Sequence, residues 1–204
     1  MDYRRLSDTG NIEELKRLAV EQEDAEAQYW LGMTYIERFY KVGNIENIVN
    51  GVEWLEKVAE TKGHTWEKES KINLAQYHEC GIHPRADISE AIRLYRSIID
   101  SNPNIILAKL YLGLLYCEGK PEHKPEEGMT LIENAIDKLI KEDGDDTYLS
   151  QYQCYRIGNA YLTGKELKKA KEYFEKSIDR CDDNYQSDRN LKERICNEKL
   201  PQCE

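Results

Sequence analysis

The chain is poor in the features that mark most functional classes. It has no stretch approaching eighteen apolar residues, so no membrane span and no membrane partner are expected. Its first residues, MDYRRLSDTGNIEEL, contain no apolar run and do not read as a signal peptide. Those two absences lead to the expectation of a cytoplasmic location, where thiols stay reduced. The six cysteines (Cys80, Cys117, Cys154, Cys181, Cys196 and Cys203) are irregularly spaced and include no Cys-x-x-Cys pair, so they read as free thiols. There is no Gly-rich phosphate loop, no Gly-x-Ser-x-Gly and no His-Glu-x-x-His. Neither an enzyme nor a cofactor is therefore expected. Positive charge is also short, with 29 Lys and Arg against 39 Asp and Glu, a net charge of −10. An acidic surface repels phosphate backbones, which argues against nucleic acid and favours, weakly, a basic partner. Prolines number only five, and no segment shows strand-like alternation.

Helical material is what remains. Hydrophobic residues make up 40% and charged residues 33% of 204. The chain aligns on itself four times, at a large aliphatic followed by a small residue: Leu31-Gly32, Leu74-Ala75, Leu112-Gly113 and Ile157-Gly158. Three residues after the small one comes Tyr35, His78, Tyr116 or Tyr161. Six residues after it comes Gly81, Gly119 or Gly164, while in the first copy Gly43 lies further along. A second segment follows each of these and starts on Gly51, Ala91, Gly128 or Ala170. Two large apolar residues follow at the third and fourth positions: Trp54-Leu55, Leu94-Tyr95, Leu131-Ile132 and Tyr173-Phe174. At the ninth position there is always an acid: Glu60, Asp100, Asp137 and Asp179.

Positions 0, 3, 4 and 7 or 8 share one face of a helix. Each copy is therefore an antiparallel helix pair, A then B. The small residues sit where the two backbones cross, and the trailing glycine stops helix A in the left-handed region. Stacked pairs bury a continuous core.

At these residues the chain resembles two related repeat families. QYQCYRIGNAYLTGKELKKAKEYFEKSI (151–178) is similar to a tetratricopeptide repeat. AEAQYWLGMTY with GVEWLEKVAETKG, and AKLYLGLLYCEGKPEHKPEEGMTLIENAI, resemble Sel1-like repeats with a longer A–B loop. The resemblance implies an all-α fold, a right-handed α-α superhelix of about four antiparallel helix pairs. A single domain over 1–204 is expected. It would comprise a capping helix at 10–22, repeats near 24–62, 65–101, 104–141 and 147–181, and a capping helix at 184–199. Loops are expected at 41–47, 81–87, 119–125, 142–146 and 182–184.

The resemblance also implies a protein-protein interaction module, an adaptor or scaffold binding another protein or peptide on its concave A-helix face. That face would carry Tyr29, Met33, Ile72, Gln76, Leu110, Leu114, Tyr152, Tyr155 and Asn159. Tyrosine suits such a role because it offers a large area with few rotors and a polar tip. A narrower reading is an inhibitor or immunity-type protein sequestering one basic target. A different reading is a metal-binding protein using His78, Cys80, His83, Cys117 and His123, although His78 also fills an aromatic packing position. Asp143-Gly144-Asp145-Asp146 reads as a solvated turn rather than a calcium loop. Phe39-Tyr40 leaves a homodimer open.

Overall fold

The structure is a computed structural model that describes residues 2–119, 121–144 and 147–203. Asp145 and Asp146 of the 142–146 turn lie outside the described residues. The chain forms two compact units, Met1–Pro103 and Asn104–Glu204. Among the described residues all regular structure is helical, and no helix is long and apolar enough to cross a membrane.

The first unit contains α1 (Tyr3–Asp8), α2 (Ile12–Glu21), α3 (Ala25–Val42), α4 (Ile45–Glu60), α5 (Thr65–Cys80) and α6 (Ile88–Ser101). Helices α3 and α4 form the first A–B pair, and α5 and α6 the second. Local chemistry sets their starts. The Asp24 carboxylate accepts the Ala27 N–H at 2.9 Å, and Asn44 and Asp87 cap α4 and α6 in the same way. Helix α2 lies within the segment expected to cap the N-terminus, and its Leu15, Leu18 and Ala19 are buried with Leu31 and Tyr35. Helix α1 was not legible in the sequence. It is held by Tyr3 Oη donating to Asp24 at 2.8 Å and by Thr34 Oγ1 donating to Ser7 Oγ at 2.7 Å.

The second unit contains α7 (Ile106–Glu118), α8 (Pro125–Asp143), α9 (Gln151–Thr163), α10 (Leu167–Asp179) and α11 (Gln186–Arg194). A π-turn over Ile195–Lys199 and a 3-10 turn over Leu200–Cys203 follow. Helices α7 and α8 pack as a third pair, and α9 and α10 as a fourth. Ser150 and Gln153 form a reciprocal capping box at the start of α9.

In the first and third pairs the small residues meet where the helices cross. A Cβ on Gly51 would stand 2.8 Å from the Gly32 carbonyl oxygen, and one on Gly113 would stand 2.7 Å from that of Gly128. In the fourth pair a Cβ on Gly158 would meet the Phe174 ring at 2.7 Å. Tyr35, Tyr95, Tyr116, Tyr161 and Tyr173 are all buried.

Two expectations need correction. The long anchor spacing of the first pair is helix rather than loop. Helix α3 runs to Val42 and leaves only Gly43 and Asn44 before α4, so the expected 41–47 loop shrinks to two residues. Gly43 takes the left-handed stop there at φ +69°, as Gly81 and Gly119 do in the next two pairs. In the fourth pair Gly164 keeps an ordinary φ of −74°, and the following residue, Lys165, adopts φ +61° instead. A non-glycine residue in this region costs about 1 kcal/mol. Lys165→Gly is therefore expected to raise the stability of the second unit by about 1 kcal/mol in urea denaturation. An unchanged midpoint would contradict this origin of the strain.

Candidate functional site

In the first unit the expected A-helix face is built from α3 and α5. Tyr29 is largely covered, with its ring stacked on Trp66 at 4.4 Å between centroids. Its hydroxyl accepts from Asn73 Nδ2 at 3.2 Å, and burial pushes its phenol pKa up. The same Asn73 amide reaches Met33 Sδ at 3.5 Å. Met33, Ile72 and Gln76 are half-buried. Beside them Tyr77, also half-buried, has its phenol raised by burial and by its neighbours Tyr40, Tyr29 and Cys80. Trp66, Asn73 and Tyr77 did not emerge from the repeat register. A tryptophan in the polar first turn TWEKES was a usable signal for the first; Asn73 carried none.

In the second unit the expected face divides. Leu110 and Leu114 are 0% and 1% exposed and belong to the core with Tyr155 and Ile157. They offer no surface to a partner, because α9 packs over α7, which is apolar nearly all round. Tyr155 is 8% exposed, and Asn159 turns its amide back to the Tyr155 carbonyl at 2.9 Å. Tyr152 is 58% exposed. Its ring lies 6.4 Å from that of Tyr155, which Arg194 of α11 covers at 5.6 Å. Gln151, Tyr152, Leu191 and Arg194 frame a cleft of about 410 Å³ between α9 and α11. Its base is fixed by the buried Asp188, which accepts the Asp182 N–H at 2.9 Å and the Gln151 amide at 3.3 Å. These donors, the backbone N–H first, hold the Asp188 carboxyl below its ordinary range.

The residues considered as metal ligands are engaged separately. His78 Nδ1 accepts the Asp87 N–H at 3.2 Å, and His83 Nδ1 accepts the Arg85 N–H at 3.0 Å. Cys80 is exposed. Burial raises the Cys117 thiol to about 11, which keeps it protonated and a poor ligand. His123 is exposed in the turn after α7. Among the described residues, no group of three or more His, Cys, Asp and Glu could hold a metal ion.

His83 has a different consequence. It is 4% exposed, and its Nε2 is buried without a hydrogen-bond partner. Burial first, then Arg85, lowers its pKa. The unfolded chain then takes up the proton at higher pH than the folded one. The resulting stability is full above the unfolded value of about 6.5 and is lost as pH falls through it. Urea midpoints are expected to fall between pH 7.5 and 5.5, and to fall less in His83→Gln. Equal slopes for the two proteins would exclude His83 as the cause.

Two family models match this architecture. The Sel1 repeat model matches residues 25–60 and 68–102, which contain α3–α4 and most of α5–α6. The tetratricopeptide repeat model matches residues 154–184, which contain most of α9 and all of α10. No curated protein matches the sequence.

Proposed function

The chain belongs to the Sel1/tetratricopeptide-like repeat family, and from that premise we propose that it is an adaptor or regulatory binding protein that holds another protein on its A-helix faces. The observation that carries this reading is Tyr152. It is a large amphipathic ring left 58% exposed while its orientation is set by stacking on Tyr155. An aromatic held in place loses little entropy on contact, which is the property of an interface anchor. In the first unit the half-buried Met33, Ile72, Gln76 and Tyr77 are the corresponding surface. Tyr29, Tyr155, Leu110 and Leu114 support these faces from beneath.

The test is a comparative affinity purification from native lysate. Tyr152→Ala combined with Met33→Ala is expected to lose at least nine-tenths of a specific interactor that the unaltered chain retains, at unchanged helicity. Retention of the same interactor by the variant would sink the A-face assignment. The net charge of −10 favours the narrower reading of a sequestering protein with a basic target. A co-purifying partner of high net positive charge would support it.

A further inference from the structure

The acid at the ninth position after each B-helix anchor has no part in packing or in the A-helix faces. Its surroundings recur. In the first unit a cleft of about 450 Å³ lies between α4, α5 and α6. In the second a cleft of about 410 Å³ lies between α8, α9 and α10. Both are lined from the same repeat positions. The first B helix contributes the fifth, eighth and ninth residues after its small anchor: Glu56, Ala59 and Glu60 in one unit, Glu133, Ile136 and Asp137 in the other. The A helix contributes the third residue after its anchor, His78 or Tyr161. The floors are apolar, with Leu74 and Leu94 in one and Ile136, Tyr161 and Tyr173 in the other, all buried.

The charges in these clefts are almost fully matched inside the chain. In the first, Glu56 pairs with Arg85 at 3.2 Å, Glu90 with Arg93, and Lys71 with Glu67. In the second, Glu133 pairs with Lys169 at 2.8 Å and Glu172 with Lys176 at 2.8 Å. One carboxylate in each cleft is left over, and it is the same one: Glu60 and Asp137 meet no hydrogen-bond or ion-pair partner among the described residues. Both are exposed. Glu60 also closes α4, where the negative end of the helix dipole disfavours a carboxylate by up to about 1 kcal/mol. With 39 acidic against 29 basic residues some carboxylates stay unpaired, and what distinguishes Glu60 and Asp137 is that each stands at the same repeat position beside an apolar cleft floor.

We propose that these two clefts receive lysine or arginine side chains of a basic protein, with Glu60 and Asp137 as the accepting carboxylates. The proposal rests on the reading of the chain as a protein-binding module but uses a different surface. An aliphatic stem would lie along the apolar floor while its cationic head meets the free carboxylate. The aromatic floor of the second cleft already accepts ammonium groups of the chain itself, Lys169 at 5.0 Å from the Tyr161 ring and Lys176 at 4.5 Å from Tyr173. The net charge of −10 steers a basic partner toward the chain, and the clefts give its cations defined seats.

The experiment titrates the full chain with an end-blocked hexapeptide of alternating lysine and alanine. Affinity is read by calorimetry and the contact site by amide chemical shifts. Glu60→Gln with Asp137→Asn is expected to weaken binding at least fivefold without lowering the melting temperature. The matched control Glu175→Gln with Glu193→Gln removes two exposed acids outside both clefts and should change affinity less than twofold. Equal weakening by the control would overturn the proposal in favour of diffuse charge. So would no binding to the unaltered chain, or shifts confined to residues outside the clefts. Displacement of the peptide by stoichiometric calcium would overturn it in favour of a divalent cation. Tyr152→Ala separates the two surfaces. Peptide binding lost in Tyr152→Ala but kept in the cleft variant would leave the A-face reading standing and remove this one. Binding lost only in the cleft variant supports the clefts whether or not the A faces bind a partner.

Discussion

Gly113→Val is expected to destabilise the second unit by about 3 kcal/mol or more. Gly113 lies mid-helix in α7, at its crossing with α8. A Cβ there would stand 2.7 Å from the Gly128 carbonyl oxygen and 2.9 Å from Ile132 Cγ1. The first obstacle is backbone, so no rotamer change can relieve it; α7 and α8 must separate. Valine gains only about half a kcal/mol over glycine in helix propensity, which does not offset the separation. Gly164→Ala is the matched contrast. Gly164 keeps φ −74°, and its added Cβ would meet nothing closer than 3.6 Å. That change should be neutral or mildly stabilising. Urea denaturation of both variants, followed by amide exchange in α7 and α8, checks the pair. Similar behaviour of the two would mean that the close crossing is not what fixes the third repeat.

That contrast shows how far the sequence could be read. Small residues at the crossings, aromatics three residues on and apolar pairs on the B helices are requirements of close packing, so they repeat, and repetition makes them visible. The length of α3 was not visible. RFYKVGN reads equally well as a polar loop and as a helical end, and only the position of Gly43 decides. The left-handed residue of the fourth pair was misplaced for a related reason: the sequence offers Gly164, yet the chain turns at Lys165. Helix α1 depends on contacts from Tyr3 to Asp24 and from Thr34 to Ser7, over separations that no local pattern encodes.

The candidate surface was legible by register but not by exposure. Register groups Met33 with Gln76 and Leu114 with Asn159 as equivalent positions. Whether an equivalent position meets solvent depends on what the next helix covers. Leu114 is closed over within the second unit, while Met33 and Gln76 stay half open in the first. The acids at the ninth position gave the opposite case. Their recurrence was plain in the sequence, but it acquired meaning only when the clefts and the internal ion pairs showed which carboxylates were left over.

Ending the chain after Tyr185 is expected to have the largest effect of all. The segment removed is mostly polar, and its composition alone suggests a dispensable cap. The packing says otherwise. Ile195 is 0% exposed within the core cluster of the second unit, and Leu191, Leu200 and Cys203 pack against the same cluster. A fully buried aliphatic contributes about 1.5–3 kcal/mol, so the four together contribute roughly 5 kcal/mol, a size comparable to the whole stability of a small domain. The truncation also removes Asp188, leaving the Asp182 N–H and the Gln151 amide without their acceptor. The open end of the last repeat would then present apolar surface to solvent, the condition that a terminal cap prevents in repeat proteins. The truncated chain should therefore lose the cooperative transition of its second unit and aggregate. Ile195→Asp should reproduce most of that loss at full length, whereas Cys196→Asp, one residue on and exposed, should not. A truncated chain that melts like the full one would show that α9 and α10 close the core without the C-terminal segment.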